Sequence, residues 1–242
     1  MRLDQYLAQS LGSRTRAADA IKAGRVKVNE KTITRPAFEV DETDTIDVSK
    51  AEHDYVSRAG GKLQAAFDAF DFSVEGEVVL DIGASTGGFT QCSLEHGARQ
   101  VYALDVGHLQ LSDQLKNDPR VVEMEGVNVK DIRKDDFAQP VDFICMDVSF
   151  ISAITALRCV FEQFVPSHLA VLVKPQFECG PKALNKKGVI KHPKYEKDAL
   201  DAMVSFLKPY YSSIRSIPSP VVGRKGNQEY IVYAQKRRDS LD

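Results

Sequence analysis

Short apolar runs recur beyond residue 55: Val78–Leu80, Val101–Leu104, Val141–Met146 and Leu169–Val173. Longer amphipathic segments separate them, a pattern that predicts a mostly parallel sheet with covering helices, an α/β fold. Two further runs, near Ile214–Val222 and at Tyr230–Ala234, predict a closing antiparallel hairpin. The first residues follow other periods. Leu3, Leu7 and Leu11 with Tyr6 make a stripe at helical spacing, and Ser13 can cap a second helix that turns Ala17, Ala18 and Ile21 inward. Gly24 ends it, and Arg25–Val28 and Thr32–Thr34 flank Asn29-Glu30-Lys31 as hairpin strands would. The stretch Ser49–Tyr55 is polar and without periodicity. It divides the chain into a small α+β head (1–50), a linker (51–55) and a body (56–242).

Charge sharpens that division. Residues 1–36 hold eight Lys and Arg against three acidic residues, a net of +5, so the remainder carries −7 within a total of −2. A basic head on an acidic body is the electrostatic footprint of a polyanion binder such as an RNA-binding protein. Cys92, Cys145, Cys159 and Cys179 have no paired spacing, and the five histidines form no ligand pattern, so a reducing cytoplasm is expected and a metal site is not. No apolar h-region stands near Met1 and no stretch of 18 residues runs without charge, which speaks against export and membrane spanning.

The most informative local feature is the run Asp81-Ile82-Gly83-Ala84-Ser85-Thr86-Gly87-Gly88-Phe89. It follows a strand pattern and opens a helical one, and its glycines permit positive φ and close backbone approach to a ligand, as at a nucleotide-type cofactor site. Asp81 at the strand end would repel a pyrophosphate but suits the ammonium and hydroxyl groups of S-adenosylmethionine. Ser85 also stands where no middle glycine completes a dinucleotide fingerprint. Asp105 ends the next run about 20 residues beyond the turn, where a ribose-binding carboxylate belongs. Ligands of open α/β sheets sit outside the carboxyl ends of the strands, so Asp147 and Lys174, each following an apolar run, should share that rim with the turn. Lys62, after Gly60-Gly61, and Glu229, before the last run, are the expected neighbours.

Two resemblances complete the reading. Arg2-Leu3-Asp4, Ser13-Arg14, Gly24-Arg25-Val26 and Val28-Asn29 resemble the S4 RNA-binding domain, which makes Arg2, Arg14, Arg16, Lys22, Arg25 and Lys27 the expected RNA contacts. Such contacts supply affinity more than sequence reading. Lys62, Asp147, Lys174 and Glu229, in the contexts Ser57–Leu63, Met146–Phe150, Lys174–Glu178 and Asn227–Tyr230, resemble the Lys-Asp-Lys-Glu tetrad of FtsJ-type RNA 2′-O-methyltransferases. With the head, they resemble the TlyA (haemolysin A) family across essentially the whole chain. That resemblance implies a Rossmann-like class I methyltransferase sheet and S-adenosylmethionine-dependent methylation of ribosomal RNA, free or in subunits, at the ribose of a cytidine. Lys174 would deprotonate the 2′-hydroxyl, Asp147 and Glu229 would hold that lysine, and Lys62 would stabilise developing charge. The backbone of Gly83, Ala84, Ser85, Thr86, Gly87 and Gly88 would enclose the methionine part, with Asp105 on the ribose and Asn128 at the adenine edge. Phe89 would line the cleft or belong to the core, and an Asx-turn competes with the ligand role of Asn128. The lysine-bearing loop Gly180–Lys191 reads as a flexible cover touching RNA or as a plain solvated loop. The alternatives are a non-enzymatic RNA-binding or ribosome-assembly protein and, further off, a haemolysin.

Overall fold

The structure is a computed structural model that describes residues 1–49, 55–108, 110–223 and 225–237. The chain divides into two compact units, Met1–Asp54 and Tyr55–Asp242. The linker expected at 51–55 lies outside the described residues except for Tyr55, which is buried and donates its hydroxyl to Gln64 Oε1 (2.8 Å).

In the first unit, α1 (Leu3–Tyr6) and α2 (Arg14–Lys22) pack over three antiparallel strands, β1 (Val26–Val28), β2 (Lys31–Thr32) and β3 (Ile46–Val48), ordered β2-β1-β3. Ser13 caps α2 by accepting from Arg16 N. The inward residues of α2 are Ala17, Ala20 and Ile21, so Ala20 takes the place expected of Ala18, while Tyr6 is exposed because α1 is a single turn. Asn29 and Glu30 both have positive φ (47° and 66°), which closes the β1–β2 hairpin in two residues and starts β2 at Lys31.

The second unit is built on a seven-stranded sheet. Its elements are α3 (Ala59–Phe70), β4 (Val78–Ile82), α4 (Gly88–Glu95), β5 (Gln100–Asp105), α5 (Asp113–Lys116), β6 (Val121–Glu125), β7 (Phe143–Met146), α6 (Ala153–Phe161), β8 (His168–Val173), α7 (Pro175–Glu178), α8 (Pro193–Leu207), β9 (Tyr211–Pro218) and β10 (Tyr230–Arg237). The strand order is β6-β5-β4-β7-β8-β10-β9, parallel except for β10, which runs antiparallel to both neighbours. Strand β7 begins later than its apolar run, because the Asp142 carboxylate accepts from Val78 N (3.0 Å) and the ladder starts at Phe143.

Alternation along β4 decides what each residue meets. Val78, Leu80 and Ile82 join the core under α6 and α8, while Val79 joins the core under α3 and α4. Asp81 therefore points to the α3/α4 side, where it is fully buried. Both faces of the sheet are covered, which is why β4, β7 and β8 are buried end to end.

Candidate functional site at the carboxyl rim of the sheet

Four titratable side chains from distant parts of the sequence converge at one edge of the sheet. Asp147 follows β7, and its N–H bonds Ile82 O across the end of β4 (3.0 Å). Lys174 follows β8. The register Tyr230↔Val173 then sets Glu229, just before β10, opposite Lys174. Because β10 is antiparallel, its beginning lies at the rim where the parallel strands end. Lys62 arrives from the first turn of α3.

The contacts run as a chain of alternating charge. Lys62 Nζ donates to Glu229 Oε2 at 2.7 Å and stands 3.6 Å from Asp147 Oδ2. Lys174 Nζ lies 2.6 Å from Asp147 Oδ1 and donates to Ser149 Oγ at 2.8 Å. The Lys174–Asp147 contact is a charge contact without hydrogen-bond alignment, so the directed bond of this amine goes to Ser149. All four side chains are at least 85% buried by relative exposure, with Glu229 and Lys62 at 5% and 10% and Lys174 and Asp147 at 10% and 14%. Charges this enclosed persist only when paired, and here each ammonium has a carboxylate.

The glycine turn adjoins them. Gly83 has φ +84°, and a Cβ there would stand 2.6 Å from Asp147 O, so the turn and the loop after β7 touch backbone to backbone. Gly87 and Gly88 are equally confined: a Cβ on the first would strike Leu115 and on the second Ser57 Oγ. Ser85 and Thr86, at the tip, are exposed. Beneath the turn, Thr90 donates its hydroxyl to Asp81 Oδ2 (2.7 Å), while Asp81 Oδ1 is buried with no protein partner among the described residues. Burial pushes the Asp81 carboxyl up to about 7. The Thr90 bond opposes this, and Asp147 and Asp105 add to it. A buried carboxylate oxygen in this state is satisfied only by a cationic or hydroxylic donor.

Asp105 ends β5 as the spacing requires, and its two oxygens accept from Ser85 N (2.8 Å) and Gly107 N (2.7 Å). This binds the carboxylate to the tip of the turn. Asn128 Oδ1 accepts from Lys130 N (3.2 Å), an Asx-type cap on the following 3-10 turn. Phe89 is 4% exposed and belongs to the core with Leu63 and Cys92, so it supports the turn from inside rather than lining a cleft. Thr90 and Ser149 were not singled out from the sequence, since a hydroxyl in a helix or loop carries no periodic signal.

In the first unit, Arg2 donates from Nε and Nη2 to both oxygens of Asp4 (3.0 and 2.9 Å), and Arg14 Nε donates to Asp4 Oδ2 (3.0 Å). These guanidiniums are held by one buried carboxylate yet remain about half exposed, at 42% and 52%. Lys22 and Lys27 are exposed, Arg16 and Arg25 half-buried.

The sequence pattern of the FtsJ-like methyltransferases matches residues 55–236, and that of the S4 domain matches residues 1–46. The chain belongs to the FtsJ-like methyltransferase family. Among relatives of this methyltransferase, Hemolysin A of Brachyspira hyodysenteriae is 43% identical over 96% of this chain and 99% of its own. The 16S/23S rRNA (cytidine-2'-O)-methyltransferase TlyA of Mycobacterium tuberculosis is 36% identical over 94% of this chain and 86% of its own. A solved Streptococcus thermophilus structure, carrying the hemolysin name, superposes with a TM-score of 0.75 at 33% identity, covering 99% of this chain and 89% of that one.

The FtsJ-like methyltransferase holds no cluster of His, Cys, Asp and Glu suited to a metal among the described residues, and no described helix is long and apolar enough to cross a membrane. A cavity of about 460 Å³ beside Phe72, His168 and Tyr233 lies at the amino end of β8, the rim opposite the tetrad. The loop Gly180–Lys191 is more constrained than a free cover. Leu184 and Ile190 form an antiparallel bridge, and Asn185 Oδ1 accepts from Lys187 N and Val189 N.

Proposed function

We propose that this methyltransferase moves a methyl group from S-adenosylmethionine to the ribose 2′-hydroxyl of a cytidine in ribosomal RNA. The observation that carries the reading is the chain Glu229–Lys62–Asp147–Lys174, gathered from four elements beside the glycine turn. Relatives that cover most of this chain and are named as rRNA (cytidine-2'-O)-methyltransferases support the substrate class.

The residues present fit the cofactor. Asp81 Oδ1 needs a donor and would take the ammonium, the backbone of Gly83–Gly88 would enclose the methionine part, and the remaining lone pairs of Asp105 would receive the ribose hydroxyls. Asn128 uses its oxygen as a cap, which leaves its amide N–H groups for the adenine edge. When bound, S-adenosylmethionine supplies a sulfonium-activated methyl that departs from a neutral thioether.

The protein's part is alignment and proton transfer. Lys174 orients the 2′-hydroxyl and takes its proton onto Nζ as the oxygen–methyl bond forms. Ser149 and Asp147 fix the direction of that amine. Lys62 balances charge building on the oxygen, and Glu229 fixes Lys62. Arg2, Arg14, Arg16, Lys22, Arg25 and Lys27 of the head contact phosphates and supply affinity. A ribosomal substrate supports a cytoplasmic location.

The test is tritium transfer from S-adenosylmethionine to protein-free ribosomal RNA and to isolated ribosomal subunits, followed by nuclease mapping of the labelled nucleotide. Lys174→Ala should still bind both cofactor and RNA while its rate falls by about 10²–10⁴-fold. Normal turnover in that variant would refute the role given to the lysine. RNA binding by the wild type with no transfer to any ribosomal RNA would favour a binding protein instead.

A further inference from the structure

Asn227 plays no part in the scheme above, yet it is 3% exposed in a stretch whose neighbours Lys225 and Gly226 are exposed. Its side chain is satisfied at both ends by one distant segment. Nδ2 donates to Gly188 O (3.0 Å) and Oδ1 accepts from Ile190 N (2.9 Å), bonds that span 39 and 37 residues. That segment is the lysine-bearing loop. It is closed by the Leu184–Ile190 bridge and the bond from Asn185 N to Val189 O (2.9 Å). Gly188 turns at φ +77° beneath the Lys225 side chain, whose Nζ would be 3.2 Å from a Cβ at that position. Lys182, Lys186, Lys187, Lys191 and Lys225 are all exposed on this frame, and residues 180–191 contain no acidic residue.

The other side of Asn227 leads to the tetrad. Its carbonyl accepts from Gly223 N (3.0 Å), and Gly223 lies against the Glu229 carboxylate so closely that a Cβ would be 2.7 Å from Oε1. Ser219 N in turn donates to Glu229 O (2.8 Å). A single buried amide thus joins a cationic loop to the loop that seats the acid holding Lys62.

We propose that Asn227 is a positioning residue that couples engagement of the RNA backbone by the lysine loop to the placement of Glu229, and through it Lys62. The inference rests on the methyltransferase reading of the rim and adds to it a link between substrate contact and assembly of the site. An anionic backbone lying across Lys182–Lys191 engages a frame tied to Asn227 by two hydrogen bonds, so the target strand and the tetrad take up their positions together.

The experiment uses the full chain as wild type, Asn227→Ala and Asn227→Ser, with protein-free ribosomal RNA as the probe. In hydrogen–deuterium exchange, RNA should slow exchange of the wild type in both 182–191 and 225–229. In Asn227→Ala it should slow only 182–191. Equal protection of 225–229 in the variant, or protection of neither segment in the wild type, overturns the coupling. In parallel, Asn227→Ala should lower kcat by about tenfold while the cofactor Kd and the KM for RNA stay within about threefold. An unchanged kcat would overturn the coupling and leave the methyltransferase reading standing. A wild type that transfers no methyl would sink that reading, and the exchange data would still decide the coupling. Should Asn227→Ala fail to fold, Asn227→Ser, which keeps one short hydroxyl, should show the same exchange pattern with a smaller loss of kcat.

Discussion

Lowering the pH from 7.5 to 6 should set protons in competition with the cofactor for Asp81. Burial, the dominant cause, holds this carboxyl up at about 7, against the pull of the Thr90 hydroxyl. A ligand ammonium binds the ionised form, so apparent affinity scales with the ionised fraction, which falls roughly eightfold between pH 7.5 and 6 for a midpoint near 7. The sign is fixed by the direction of the shift: affinity is high above the midpoint and declines as pH drops through it. Isothermal titration with S-adenosylmethionine, and with S-adenosylhomocysteine, which shares the ammonium but lacks the sulfonium, measures the slope. Thr90→Val removes a hydrogen bond to a charged group worth about 1.5–3 kcal/mol, or about 1–2 pK units. The midpoint then rises further, and binding at pH 7.5 weakens roughly 3- to 25-fold. Asp81→Asn should bind weakly and with a flat profile. A wild-type slope that persists in Asp81→Asn, or no slope in the wild type, would show that the cation is held elsewhere.

Further outcomes follow from other contacts. Arg2 first, then Arg14, holds the Asp4 carboxyl down to about 2, so its contribution to the head is present above pH ~4 and is lost as pH falls through 2. The half-exposed arginines limit this to about 1 kcal/mol, and Asp4→Asn should flatten that acid limb in exchange measured over residues 1–49. Gly83→Ala combines a φ of +84° with a Cβ 2.6 Å from Asp147 O; it should cost about 2–4 kcal/mol in urea melts and lower kcat as well, whereas a near-neutral change would mean the joint yields. Despite the name of its Brachyspira relative, the protein should release no dye from liposomes at physiological salt, and leakage would reopen the lytic reading.

How much could be read in the residues depended on how local each signal was. The glycine turn was legible because strand, turn and helix start lie within a dozen residues and each element requires a particular residue type. The tetrad was not legible in that sense. Lys62 and Glu229 are 167 residues apart and meet only because β10 returns antiparallel beside β8; their places at element starts mark both as neighbours of the rim, but only the resemblance groups them as a tetrad. Thr90 went unnoticed because a threonine nine residues after Asp81 is informative only once the helix is known to fold back over the strand. Strand β3, three residues of which only Ile46 is partly buried, lacks enough apolar alternation to be seen in the sequence. Asn227 stands near Glu229 in the sequence, but its value lies in partners 37 and 39 positions away.

The reversed direction of β10 has a consequence for biosynthesis. A nascent chain displays its glycine turn, Asp147 and Lys174 well before Glu229 is made, and α3, with Lys62, precedes them all. Until β10 slots between β8 and β9, the Lys62 ammonium lacks its 2.7 Å anchor, so the four charged side chains can come together only after the rest of the sheet has been made.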